Sequence, residues 1–134
     1  MEIKITFPGN KKVYAEVNGQ VIPTDQPVIQ GGDGTAPSPF AHFLASIGTC
    51  AGIYVLAFCR ERNIPTENVT LTERLVYAND SEGRQFLDTI AIDINVPPDF
   101  PEKYHKALVR VADQCAVKKA IANPPKFAVS TIVR

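Results

Sequence analysis

Three cysteines, Cys50, Cys59 and Cys115, are the residues whose type most directly carries chemistry in this chain. A thiolate is a nucleophile and a reductant, and its use depends on how far its surroundings depress a pKa that is ordinarily about 8.5. An odd number of cysteines at irregular spacing is no disulfide framework, and the chain contains no Cys-x-x-Cys pair. Together with the two histidines, His42 and His105, the set matches no zinc-ligand spacing, so neither a metal nor another cofactor is expected. The cysteines are free thiols, or one redox pair and a bystander.

Position separates them. Cys50 and Cys59 lie in the uncharged run "LASIGTCAGIYVLAFC", Leu44 to Cys59. On a helix, steps of about 100° per residue carry Cys59 roughly 180° around the axis from Cys50, which forbids a bridge between them. Cys59, next to the charged "RERN", reads as a small buried hydrophobe. Cys50 has Ala45, Ser46, Gly48, Thr49, Ala51 and Gly52 around it, small residues that admit either a substrate or another backbone close to the sulfur. Cys115 follows Asp113 and precedes Lys118 and Lys119 in a candidate first helical turn, where amides and ammonium groups favour thiolate. A core cysteine beside solvent-facing lysines fits that segment as well.

The elements that must position these thiols are legible as alternation and punctuation. "EIKITF" and "KVYAEV" alternate like half-buried strands around the turn "PGNK", and Asn18-Gly19 leads into "QVIP", which gives an antiparallel meander. Pro23 to Pro37 lacks any period and reads as a long loop. Ser38 is a candidate N-cap with Pro39 in the first turn of a helix running to about Arg62. "ENVTLTERLVYA" and "QFLDTIAIDINV" form a second hairpin across "NDSEGR". Asp99 is placed to cap a helix beginning near Pro101, with Tyr104, Leu108 and Val111 on its buried face; that helix continues past Asp113 or restarts there, and Asn123 ends it. "KFAVSTIV" closes the chain as one more strand.

From Ala41 through Cys59 nineteen residues carry no charge, nominally enough to cross a bilayer. The run contains His42, Ser46, Gly48, Thr49 and Gly52, and the amphipathic strands and helix around it need an apolar surface, so a buried central helix and no membrane contact are expected. One chain can hardly cover every side of a rod about 36 Å long, which points to a homodimer. The length suits a single domain over residues 1–134. Fourteen Lys and Arg balance fourteen Asp and Glu, which excludes the basic excess of a nucleic-acid binder. The opening "MEIKITFPGNKK" lacks the regions of a signal peptide, so a cytoplasmic location is expected.

The segments "GGDGTAPSPFAHFLASIGTC" and "ADQCAVKKAIANP" make the chain resemble the OsmC/Ohr family of osmotically induced and organic-hydroperoxide-resistance proteins. The resemblance implies an α+β, OsmC-like fold: an N-terminal β-meander, a long buried central helix, antiparallel strands and a second helix, in an intertwined homodimer with its sites at the subunit interface. It implies Cys50 as the peroxidatic cysteine that attacks an organic hydroperoxide, Cys115 as the resolving cysteine, and an external dithiol as reductant. Phe40 and Phe43 are the candidates for contact with an apolar substrate.

The chain departs from the family pattern at three places. Ala116 stands where the family has proline after its second cysteine. The first arginine is Arg60, whereas the family supplies a thiolate-stabilising arginine from the N-terminal half. Phe40 stands where a glutamate follows the helix-starting proline. With both polar activators missing, Cys50 in apolar surroundings is expected to tend toward the neutral thiol, unless Lys4, Lys11 or Lys12 folds close to it. Two functions remain in view. One is a thiol-dependent redox protein, a thiol peroxidase reducing organic hydroperoxides under oxidative stress. The other is a non-catalytic protein of the same fold that holds a small hydrophobic ligand in the interface cleft and uses its cysteines as packing.

Overall fold

The computed structural model describes all of residues 1–134. The protein is α+β, with five strands in two antiparallel sheets, three α-helices and two short 3-10 turns. It forms two compact units, Met1–Ser46 and Ile47–Arg134.

In the first unit, β1 (Lys4–Gly9), β2 (Lys12–Val17) and β3 (Gln20–Thr24) form the expected meander in the order β1-β2-β3. Asn18 and Gly19 both take positive φ, 50° and 75°, the geometry that a two-residue hairpin turn needs. The first strand starts two residues later than "EIKITF" suggests. Lys4 pairs with Glu16, so Glu2 and Ile3 reach the level of Val17 and the turn, where the ladder ends.

The long loop beyond β3 is held by a buried carboxylate. Asp25 accepts the amides of Gln26 (2.7 Å), Asp33 (3.4 Å) and Thr35 (3.0 Å), and the Thr35 hydroxyl at 2.7 Å. These bonds, the Thr35 hydroxyl foremost, hold its carboxyl well below the usual carboxylate range although burial opposes them. Asp33 in turn accepts Lys12 Nζ at 2.7 Å and Asn10 Nδ2 at 2.9 Å, which ties the loop to the β1–β2 turn. Gly32 has to be glycine, because a Cβ there would collide with the Gln26 carbonyl. The loop delivers the chain to α1 (Pro39–Glu61), where Ser38 Oγ accepts the Ala41 amide at 3.2 Å as the expected N-cap.

The second unit is built on the rest of α1. Ile47, Ala51, Val55, Phe58 and Cys59 recur at helical spacing and are buried. Val55, Phe58 and Cys59 pack with Phe100, Leu108 and Ala112, and Leu71, Ile92 and Ile94 of the hairpin close over them. That hairpin is β4 (Thr70–Asn79) against β5 (Gln85–Asn95), with Leu71 opposite Ile94, Glu73 opposite Ile92 and Leu75 opposite Ile90. A bulge follows: Val76 pairs with Thr89 and Tyr77 with Leu87, so Asp88 is the extra residue.

Two expectations change here, the cap at Asp99 and the final strand; the open choice for the second helix is resolved as a restart, and the central helix keeps an uncovered face, as expected of one chain alone. Asp99 is exposed and caps nothing; Pro101 leads into a 3-10 turn, Glu102–Tyr104, and α2 (His105–Ala112) follows. The second helix breaks at Asp113–Cys115 and restarts as α3 (Ala116–Ala122). "KFAVSTIV" is not a strand, because no strand of this chain lies beside it to satisfy its amides and carbonyls, and Phe127 is 89% exposed. The central helix is buried on one face only. Ile53 on the other is 63% exposed, and Pro39–Glu61 as a whole is long and apolar enough to cross a membrane by length and composition.

Asp25→Asn would leave an amide facing donors that need an acceptor. Its urea midpoint at pH 7 is expected to fall by roughly 0.5–1 M. Because the folded pKa of Asp25 is depressed, its stabilisation is complete above the unfolded value of about 3.9 and is lost as pH falls below it. The variant is therefore expected to lose less further stability between pH 4 and 2 than the wild type, as urea titrations across that range would show.

Candidate active site

Cys50 sits on the flank of the buried stripe of α1, half-buried, and faces the break between α2 and α3. Leu108 and Ala112 anchor α2 in the core, so the break has a fixed place. There the backbone leaves helical geometry: Cys115, the N-cap of α3, has φ −52° and ψ 128°. The amides that follow it, Ala116 and Val117, have no carbonyl partner within their own helix, as in the first turn of any helix. Both donate to the sulfur of Cys50.

Cys115 completes the arrangement from a fully buried position. Its thiol lies 3.9 Å from the Ile47 carbonyl, one turn before Cys50, and also hydrogen-bonds the Cys50 sulfur. One S–H can be donated only once, and a thiolate is a stronger acceptor than a carbonyl already used within its helix. An ionised Cys50 would therefore be the better acceptor for that proton. No disulfide joins the two.

The surroundings of Cys50 favour its ionised form, the direction opposite to the one apolar surroundings alone imply. The Val117 amide, foremost, and then the Cys115 thiol hold Cys50 below the ordinary thiol range; burial opposes them, while the Ala116 amide and the Lys118 ammonium add to the lowering. The main donors that lower it come from the start of a short helix far along the chain. Within the first unit, Lys11 donates to the Gln30 carbonyl and Lys12 to Asp33. Cys59 is buried in the core as expected of a small hydrophobe, and burial pushes its thiol up.

Ile47, one turn before Cys50, and Lys118 line a cavity of about 490 Å³, whose walls include neither cysteine. Its walls are Ile47, Leu87, Ile90, Ile92 and Ile121, and its polar groups are Asp88, Asp113 and Lys118, the last two paired at 3.0 Å. Sequence reasoning missed Glu73, on the inward face of β4. One of its carboxylate oxygens lies against Gly48, and the other is buried without a hydrogen-bond partner. The available signal was a charge at an inward position of the alternating "TLTERLV". Phe40 and Phe43 belong to the first unit, where their rings stack at 5.7 Å and Phe40 lines a separate cavity with Pro27, Gln30 and Pro39. No three His, Cys, Asp or Glu side chains gather to hold a metal ion.

The chain matches a known family and shares its fold with solved structures. The profile of the family described as OsmC-like protein matches residues 32–130, which include both Cys50 and Cys115. Among curated proteins none matches in sequence. Several solved structures share the fold. A candidate osmotic stress induced and detoxification response protein from Psychrobacter arcticus is 24% identical, with a TM-score of 0.71 over 88% of this chain and 85% of its own. An organic hydroperoxide resistance protein, OsmC, from Legionella pneumophila is 21% identical, with a TM-score of 0.57 over 90% and 89%. The organic hydroperoxide resistance protein OhrB of Bacillus subtilis is 21% identical, with a TM-score of 0.54 over 92% and 93%.

Ala116→Pro isolates one of the donors. Proline is tolerated in the first turn of a helix, and Cys115 already has the extended backbone that a residue before proline requires. The substitution removes only the Ala116 amide from Cys50. The alkylation rate of Cys50 by iodoacetamide at pH 7, followed by peptide mass spectrometry, is expected to fall by roughly two- to fivefold, with its pH profile moved upward.

Proposed function

The chain belongs to the OsmC-like family, and on that footing we propose that it is a thiol-dependent peroxidase that reduces organic hydroperoxides through Cys50 and Cys115. The observation that carries the reading is the sharing of the Cys50 sulfur by two α3 amides and the Cys115 thiol. A half-buried thiol with a depressed pKa, in contact with a second thiol, is the microenvironment of a redox cysteine rather than of packing.

In the proposed cycle the Cys50 thiolate attacks the terminal oxygen of ROOH. An S–O bond forms as the O–O bond breaks, and the leaving alkoxide takes a proton to become ROH. The sulfur is oxidised by two electrons to sulfenic acid, and the peroxide is reduced by the same two. Cys115 then attacks the Cys50 sulfur, releasing water and leaving a disulfide. An external dithiol reduces that bond and restores both thiols. The α3 amides favour the thiolate before attack, and the contact between the thiols shortens the life of the sulfenic acid. A cytoplasmic location suits such a cycle, because resting thiols there stay reduced.

The working unit in this proposal is a homodimer. Ile53 on α1, Ile5 and Phe7 on β1, and Val129 and Val133 in the C-terminal segment all expose large apolar side chains, more than a chain alone in water usually shows. A second copy is the proposed cover. The alternative function, a non-catalytic binder of a hydrophobic ligand, draws on the apolar cavity and is separated by the following test.

A stoichiometric dose of cumene hydroperoxide is expected to remove two thiols per chain and yield a 50–115 linked peptide. Cys59→Ser should give the same result. Cys115→Ser should form sulfenic acid on Cys50 and pass to sulfinic acid under excess oxidant. Full retention of alkylatable thiols would leave the ligand-binding function. Sedimentation at micromolar concentration is expected to give the dimer mass, and a stable monomer would contradict the proposed assembly.

A further inference from the structure

The cavity lined by Ile47 and Lys118 carries a charge pattern that the peroxidase reading alone does not require. Its walls are aliphatic, and its volume of about 490 Å³ lies within the range of small-ligand pockets. Its charged groups are two carboxylates, Asp88 and Asp113, and one ammonium, Lys118. That ammonium is already engaged by Asp113 at 3.0 Å and acts on the Cys50 sulfur. Asp88 is the extra residue of the β5 bulge and bonds only the neighbouring Thr89 hydroxyl, at 2.8 Å, so no cation neutralises it. Of the lining charges, the two carboxylates therefore outnumber the one ammonium. The cavity thus joins an apolar surface to a net negative field.

From this we infer that the cavity admits the organic group of a neutral, lipophilic hydroperoxide and discriminates against hydroperoxides that carry a carboxylate. Ile47 connects the two places: it lines the cavity, and its carbonyl meets the Cys115 thiol one helical turn before Cys50. An alkyl or aryl group against Ile47, Ile90 and Ile92 would lie one helical turn from Cys50 and beside Lys118, whose ammonium acts on its sulfur. A carboxylate on the same group meets Asp88 and Asp113 and finds Lys118 occupied. Asp113 is 73% exposed, so the discrimination is moderate and sensitive to salt. The inference rests on the proposed peroxidase function for its chemistry, and on the cavity alone for its charge preference.

Linoleic acid hydroperoxide and its methyl ester differ in that one charge. Each, below its micellar concentration, would be mixed with the reduced full-length chain and loss of the Cys50 thiol followed by quenched alkylation. The ester is expected to react at least threefold faster at low ionic strength, with the ratio approaching one at high salt. Asp88→Lys should bring the ratio to one or below. Ala122→Trp, which fills the cavity from the end of α3, should slow the ester at least threefold while leaving iodoacetamide alkylation of Cys50 unchanged.

An acid that reacts as fast as the ester in the wild type would overturn the inference, as would an Ala122→Trp variant with unchanged ester kinetics, the result expected if a second copy of the chain fills the cavity. If neither hydroperoxide oxidises Cys50, the peroxidase proposal falls. The charge preference is then read from protection of Cys50 against iodoacetamide: stronger protection by methyl linoleate than by linoleate upholds it, and equal protection or none overturns it.

Discussion

The break between α2 and α3 is the constraint on which the site depends. A helix carried straight through residues 113–116 would spend the amides of Ala116 and Val117 on its own carbonyls. Because Cys115 takes an extended backbone, those amides are left over, and they point at a sulfur on another helix. The break is held in place by hydrophobic burial: Leu108 and Ala112 before it pack with Val55, Phe58 and Cys59 of α1. The same packing that stabilises the second unit thus fixes the donors that tune Cys50. Each unit of thiol pKa corresponds to about 1.4 kcal/mol of preference for the anion, so a few well-placed donors suffice to change a thiol's character.

Much of this was legible in the sequence, for identifiable reasons. Asn18-Gly19, Ser38-Pro39 and the alternation of Ile90, Ile92 and Ile94 are local signals, and the corresponding turn, helix start and strand are where they point. The opposed azimuths of Cys50 and Cys59 follow from helical geometry alone, and one thiol is half-buried at the α3 start while the other is in the core. The state of Cys50 was not legible. Its main determinants are backbone amides, which every residue has and which no residue type announces, and they become available only through a break whose position depends on long-range packing. Asp25 shows the same limit: an aspartate in a loop is unremarkable in sequence, yet here it is fully buried and organises that loop with four hydrogen bonds.

The C-terminal segment and the far side of α1 mark another boundary of sequence reading. "KFAVSTIV" has the composition of a strand and no partner within the chain, and α1 has the composition of a wrapped helix with one face open. Local composition states what surface a segment needs, and one chain's fold states how much of that need it meets itself. Here the remainder is large, and it lies in apolar side chains rather than charged ones.

The most direct measurement of the central claim is a site-resolved carbon-13 titration of the Cys50 Cβ in the reduced wild-type chain, with Cys59→Ser and Cys115→Ser samples used to assign the resonances. A midpoint clearly below the free-thiol value of about 8.5 is the predicted result. A midpoint at or above that value would mean that burial outweighs the α3 amides, and it would contradict the assignment of Cys50 as an activated thiol.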